Sequence, residues 1–226
     1  MIQEILSPLR PDLSAEQLAQ FETYYAMLAD WNERMNLTAI SGPEDVVKKH
    51  FLDSLAAAPY LKQDASIVDV GTGAGFPGVP LLILRPDLKV TLMDSQQKKL
   101  LFLEALLKEL GLSAECVHAR AEDAGQNPCH RERYDAALTR AVSALPVLAE
   151  LTLPLVKVSG VSIAYKGDSA EELLLANHAL EILCATAERV VIPSDYGARE
   201  LVIMTKQAAT PKVYPRKAGT PARKPL

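Results

Sequence analysis

The sequence predicts an α/β fold: a doubly wound, seven-stranded sheet, parallel in its body and finished by a C-terminal antiparallel hairpin, with an N-terminal helical extension. Three observations predict it. Ser66 to Pro80 reads SIVDVGTGAGFPGVP, in which β-branched Ile67, Val68 and Val70 run into Gly71, Gly73, Gly75 and Gly78, with an apolar run from Val79 to Leu84 behind them. That is strand, tight loop and helix. From there to Lys206, strand-like and helical stretches alternate, the pattern of parallel strands with crossover helices on both faces. Finally, only Ser194, Asp195, Tyr196 and Gly197 separate the last two strands. That turn is too short for a crossover, so the two strands pair antiparallel at the sheet edge.

Residues 1–60 read as the N-terminal helical region. Ser14 with Gln17 makes a capping box, and Leu18, Phe21, Tyr25 and Leu28 share a face, so a helix runs to about Trp31. Asn32 to Thr38 is a polar connector. Ser41 with Glu44 forms a second capping box around Pro43, starting a helix that reaches about Ala58. On it His50, Asp53 and Ser54 share a face, either as a hydrogen-bonded surface cluster or as a wall of a substrate cleft. Residues 61–208 carry the sheet, with strands at Ile67–Val70, Lys89–Met93, Ala114–His118, Tyr134–Leu138, Val158–Tyr165, Glu188–Pro193 and Glu200–Lys206. The helix Gln96–Leu110 faces the sheet through Leu100, Leu103, Leu107 and Leu110, and Gly111 stops it. Residues 209–226 contain prolines and no apolar pattern, which predicts a basic extended tail.

With 226 residues, 49% hydrophobic and 23% charged, the chain can bury one good core. No stretch approaches the ~20 apolar residues of a membrane span, and the N-terminus lacks the pattern of a signal peptide. Cys116, Cys129 and Cys184 fit neither a disulfide framework nor a zinc site. A cytoplasmic protein without metal is therefore expected. The net charge of −4 hides an asymmetry: Lys206 to Leu226 holds six cations and no acid, leaving 18 basic against 28 acidic residues, a charge of −10, in the remainder. A basic tail on an acidic body is a sign of nucleic-acid contact, or else an aid to solubility.

The glycine loop should hold a small molecule at the carboxyl end of the first strand. Gly73, Gly75 and Gly78 fit the dinucleotide spacing GxGxxG, whose pyrophosphate rests on a helix N-terminus. Asp69 argues against a pyrophosphate and for a cationic ligand such as S-adenosylmethionine, and Pro77 removes an amide donor that a phosphate would use. Asp94, ending the second strand, can accept from both ribose hydroxyls of either cofactor. The expected cofactor contacts are thus Asp69, Gly71, Thr72, Gly73 and Gly75 around the loop, and Asp94 on the next strand. Just past the third strand, Ala121 leaves room for an adenine ring and Glu122 can accept from its amino group, although Glu122 and Asp123 would equally cap a helix start. Arg140, ending the fourth strand, falls at the crevice where strand order reverses. The Asn-Pro-Pro-aromatic signature of amine methylation is missing there; Asn127, Pro128 and Cys129 come too early and form a loop turn. Competing readings are an NAD(P)-dependent oxidoreductase and a non-catalytic nucleic-acid-binding module.

The stretches NLTAI (Asn36–Ile40), HFLDSL (His50–Leu55), DVGTGAGFPGVPL (Asp69–Leu81), DSQQKK (Asp94–Lys99), TRA (Thr139–Ala141), YKG (Tyr165–Gly167) and YPRKAGTPARKPL (Tyr214–Leu226) span nearly the whole chain. Together they resemble the RsmG family, also called glucose-inhibited division protein B. The resemblance implies a Rossmann-like methyltransferase that uses S-adenosylmethionine to methylate a guanine N7 in small-subunit (16S) ribosomal RNA, free or in the subunit particle. It places Gly71, Phe76, Ala121, Glu122 and Arg140 at the cofactor. Guanine N7 has a free lone pair and no proton to lose, so alignment supplies most of the rate and no covalent intermediate is needed. Arg140 and Lys166 are the expected catalytic residues. RNA contacts are expected from Arg34, Asn36, His50 and Asp53 in the helical region and from Arg216, Lys217, Arg223 and Lys224 in the tail. A monomer is expected, with no membrane partner, and cofactor affinity is expected not to depend on the tail.

Overall fold

The computed structural model describes residues 1–226. Its centre is one seven-stranded sheet: β1 (Ser66–Val70), β2 (Lys89–Asp94), β3 (Glu115–His118), β4 (Tyr134–Arg140), β5 (Val156–Lys166), β6 (Ala185–Val191) and β7 (Glu200–Lys206). The order is β3-β2-β1-β4-β5-β7-β6. Strands β1 to β5 pair in parallel, whereas β7 runs antiparallel to both β5 and β6. All seven predicted strands are present, and the turn over residues 192–199, which contains Gly197, makes the expected hairpin. β1 is buried on both faces from Ile67 to Val70, which is why its sequence is apolar without alternation.

The helices are α1 (Ile2–Leu9), α2 (Ala15–Met35), α3 (Pro43–Val46) continuing through a π-helical stretch Val47–Leu52 into α4 (Asp53–Leu55), α5 (Gly78–Leu84), α6 (Gln97–Leu110), α7 (Ala121–Gln126), α8 (Leu145–Thr152), α9 (Ala170–Ile182) and a final turn α10 (Thr220–Arg223). The Ser14–Gln17 capping box forms as expected. α2 outruns the predicted end at Trp31 and stops at Asn36, whose φ of +50° gives the left-handed C-cap. The second capping box does not form. Gly42 is the N-cap without a side-chain bond, because Pro43 at the first position has no N–H and a preset φ. α1 escaped the sequence reading, since Pro8 breaks its pattern after only Ile2 and Leu6 have shown the helical spacing.

The N-terminal helices and one face of the sheet share a core. Phe21, Tyr24 and Leu28 of α2 meet Phe51, the α6 residues Leu103, Leu106 and Leu107, and Ile67, Leu92 and Leu138 of the strands. Phe21, Tyr24 and Phe51 are completely buried, at about 1.5–3 kcal/mol for a large apolar side chain. The helical region is therefore bonded to the sheet by packing. On the other face Val68, Val70 and Ala137 pack under α7 and α8. The tail, expected to be extended, instead lies on α7 and α8 and ends in the α10 turn.

Candidate active site

Strand order reverses between β1 and β4, so the carboxyl ends of these strands form the crevice of an open α/β sheet. The loop after β1 is tied down from beneath. The N–H groups of Gly71 and Thr72 donate to the Met93 carbonyl at 2.9 and 3.1 Å, and that of Gly73 donates to Asp94 Oδ2 at 3.0 Å. Asp69 was expected to face a cationic ligand. Its side chain is wholly buried under the loop instead, where Oδ2 accepts from the Thr72 hydroxyl at 2.7 Å and the Gly78 N–H at 2.8 Å. Burial pushes its carboxyl up to about 6, against the pull of those two bonds and of Arg140. Asp69 is the fastener of the loop, because an acid at this depth needs internal donors.

Above the loop lies a cavity of about 230 Å³, lined by Gly71, Asp94, Ala121, Glu122, Val142 and Pro221 among others. Four of the sequence-predicted cofactor residues meet here. Among the glycines Gly71 is the one whose missing side chain leaves room at this cavity: a Cβ there would lie 2.8 Å from Val142 Cγ2. Gly75 does different work. Its Cβ would strike Tyr24 Oη at 2.7 Å and Leu103 at 2.9 Å, so this glycine lets α2 and α6 approach the loop. Asp94 is well tied, with Oδ1 accepting from the Gln96 N–H at 2.9 Å and Oδ2 reached by Lys99 at 3.5 Å. Glu122 accepts from the Gly219 N–H at 2.8 Å and from Arg120 at 3.3 Å. Burial raises its pKa, but these donors outweigh that and hold the carboxyl below its ordinary value.

A second cavity, of about 510 Å³, adjoins the first, and Ser143 lines both. Arg140, His50, Lys49, Lys166, Tyr196 and Arg199 surround it. Arg140 donates to the Lys49 carbonyl at 2.9 Å, to Asp53 Oδ2 at 3.1 Å and to His50 Nδ1 at 2.8 Å. Arginine only donates, so His50 Nδ1 is an acceptor and the ring proton sits on Nε2, facing the Thr38 hydroxyl at 2.8 Å. Burial, and then the Arg140 charge, push His50 down to about 4. Asp53 also accepts two bonds from Arg199, at 2.8 and 2.5 Å, and one from the Tyr196 hydroxyl at 3.2 Å. Lys166 donates to the Ser143 carbonyl at 2.8 Å and pairs with Glu172 at 2.7 Å.

Phe76 does not line the first cavity. Its ring stacks between Tyr24, at 5.2 Å, and His50, at 4.4 Å, with the Arg140 guanidinium 4.9 Å from its centroid. Thr72 is likewise buried below the loop. Of the residues expected to bind RNA, His50 and Asp53 are buried in the Arg140 network, and His50 also lines the second cavity. Arg34 pairs with Asp30 beside Trp31, and Asn36 is a helix cap. The Arg216 guanidinium is taken by buried Glu150, whereas Lys217, Arg223 and Lys224 are exposed. Sequence reading missed Arg199, Tyr196, Val142 and Pro221. Arg199 and Tyr196 come from the hairpin and reach Asp53 only across the fold, so no local motif marks them.

The sheet order, the antiparallel β7, the glycine loop after β1 and the acid ending β2 define the Rossmann-like methyltransferase class. Solved structures share this fold: a methyltransferase from Pyrococcus furiosus (TM-score 0.58, 11% identity, 85% of this chain and 100% of that one) and an S-adenosylmethionine-dependent methyltransferase from Aquifex aeolicus (TM-score 0.54, 18% identity, 75% and 96%). The chain itself belongs to the rRNA small subunit methyltransferase G family, whose model matches residues 17–202. Relatives named ribosomal RNA small subunit methyltransferase G include those of Halalkalibacterium halodurans, 50% identical over 95% of this chain and 93% of its own, and Bacillus cytotoxicus, 47% identical over 99% and 97%. The expected family and fold are thereby borne out.

Proposed function

We propose that this protein transfers a methyl group from S-adenosylmethionine to N7 of a guanosine in small-subunit ribosomal RNA. The residues present fit the cofactor's adenosine: Gly71 gives close backbone approach, Asp94 stands at the ribose position, and Ala121 and Glu122 frame a ring-sized space. When bound, S-adenosylmethionine supplies an activated methyl group on a sulfonium. The second cavity is the place for the base, and the loop Arg140–Ser143 is the boundary between the two.

The observation that carries the N7 reading is the engagement of the acidic and imidazole groups around a cavity rich in donors: Glu172, the carboxylate that lines it, is paired with Lys166 and accepts from the Leu145 N–H. His50 is held neutral with Nδ1 occupied and Nε2 turned to Thr38, and Asp53 is shared by two arginines. Amine or hydroxyl methylation must remove a proton, whereas a ring nitrogen such as guanine N7 attacks with its lone pair. Three of the five Arg140 N–H groups are engaged, which leaves donors for a base oxygen, and Lys166 keeps one of its three. N7 faces the deep, narrow groove of A-form RNA, so the target guanosine lies in an irregular or unpaired region.

The test is methyl transfer from labelled S-adenosylmethionine to small-subunit RNA and to the subunit particle, followed by chemical cleavage at N7-methylguanosine. RNA carrying 7-deazaguanine should accept no label. Label on that RNA would overturn the N7 assignment, and absence of transfer to either substrate would overturn the RNA reading.

A further inference from the structure

We infer that the C-terminal segment from Arg216 to Ala222 is a working part of the cofactor site: it walls the first cavity and orients Glu122 toward the bound purine. The inference rests on the reading of that cavity as the adenosine site. Pro221 and Ala222 line the cavity alongside Ala121 and Glu122, and Pro221 is buried there. The Gly219 N–H donates to Glu122 Oε1, with Gly219 at a φ of +78° that favours glycine. One carboxylate oxygen of Glu122 is thus held by the tail while the side chain still faces the cavity.

The segment is anchored to the same two helices that shape this cavity. Arg216 meets Glu150 of α8 through its Nε at 2.8 and 3.1 Å, its terminal nitrogen at 2.5 Å and its backbone N–H at 2.8 Å, and Glu150 has no exposure at all. Charge-assisted, bidentate contacts of this kind fix geometry. Gln126 of α7 donates to the Pro215 carbonyl at 2.7 Å. Gly125 leaves space for the Pro215 ring, which a Cβ would meet at 2.7 Å. Arg131 holds the Thr210 and Tyr214 carbonyls at 2.8 and 2.7 Å. A basic arm used only for electrostatic capture would not pair its arginine with a fully buried carboxylate or bury Pro215 and Pro221.

The opposite side of the segment exposes Lys217, Arg223 and Lys224, none of which is in an ion pair. One segment can therefore wall the cofactor cavity with Pro221 and Ala222 and present these cations outward. This departs from the expectation that cofactor affinity is independent of the tail.

The test is titration calorimetry of the full chain and of its Gly219→Val and Pro221→Asp variants with adenosylhomocysteine. It is paired with the rate of tryptic cleavage after Lys217 and Arg223 in the wild type. Both variants should bind about 10-fold or more weakly, the equivalent of losing one well-placed contact, and adenosylhomocysteine should slow cleavage of the wild type. Wild-type affinity in both variants, or cleavage indifferent to the ligand, would remove the tail from the site and leave the cofactor reading intact. If the wild-type chain takes up no adenosylhomocysteine, the cofactor reading itself falls and this inference with it.

Discussion

Arg140 and His50 face each other with a guanidinium nitrogen 2.8 Å from Nδ1, and this one contact settles both the tautomer and the charge of the ring. The neutral imidazole lies flat against Phe76, so the cation, the ring and the glycine loop form one stack. The loop itself is fastened by Asp69, whose carboxyl is displaced in the opposite sense.

The two displacements oppose each other in the pH dependence of stability. His50 falls from 6.5 to about 4, so its contribution is whole above pH 6.5 and is lost as pH drops toward 4. Asp69 rises from 3.8 to about 6, so its contribution is whole below pH 3.8 and is lost as pH climbs toward 6. Each is worth on the order of 3 kcal/mol, and between pH 4 and 6 they offset one another. Relative to wild type, Asp69→Asn should gain stability as pH rises through this window and His50→Gln should lose it. Urea midpoints at pH 4.5 and 6 measure this, and two variants that run parallel to wild type would refute it.

Asp53 is the anion shared by Arg140 and Arg199. Asp53→Ala leaves both guanidinium groups without it in a largely buried place, at a cost of about 3–5 kcal/mol. Removing Arg199 as well should restore part of that loss, since contacting residues are not additive. A double-mutant cycle by urea unfolding reads the coupling, and simple additivity would show that Asp53 does not join the two.

Gly75 and Gly71 should fail in different ways. Gly75→Ala forces a Cβ onto Tyr24 and Leu103 at a φ of +96°, costing about 1–3 kcal/mol for overpacking and about 1 more for the left-handed backbone. Gly71→Val meets only the exposed Val142 side chain but at a φ of +72°, which costs about 1–2 kcal/mol, so the protein stays folded at reduced stability while adenosylhomocysteine binding is lost. Calorimetry and unfolding on both variants separate the two roles, and intact cofactor affinity in Gly71→Val would show that the loop does not approach the ligand.

The strands were legible because a sheet buried on both faces imprints apolar runs, and glycine, proline and capping residues mark their ends. The hairpin was legible because so short a connection cannot make a crossover. For the site, sequence spacing located the loop, Asp94 and Ala121–Glu122, all of which sit next to strand ends. It could not tell which atoms of these residues face outward. Asp69 and Gly75 belong to the signature of the loop, yet both look inward, one to fasten it and the other to admit α2. The Arg140–Asp53–Arg199 cluster joins a helix, a strand end and a hairpin that are far apart in the chain, and no local pattern encodes such a meeting. The tail was misread as extended because its anchors are single polar side chains, Arg131, Glu150 and Gln126, with no apolar periodicity.

The strand order also says something about assembly. β6 has one neighbour, β7, and β7 is the outer partner of β5. Until β7 is seated, β5 presents an open edge, and Asp53 meets neither Arg199 nor Tyr196. The hairpin that completes the sheet is thus the same piece that closes the second cavity, so a chain with unfinished strand pairing lacks the Tyr196 and Arg199 side of it. The shape of that cavity is in this way made conditional on complete folding.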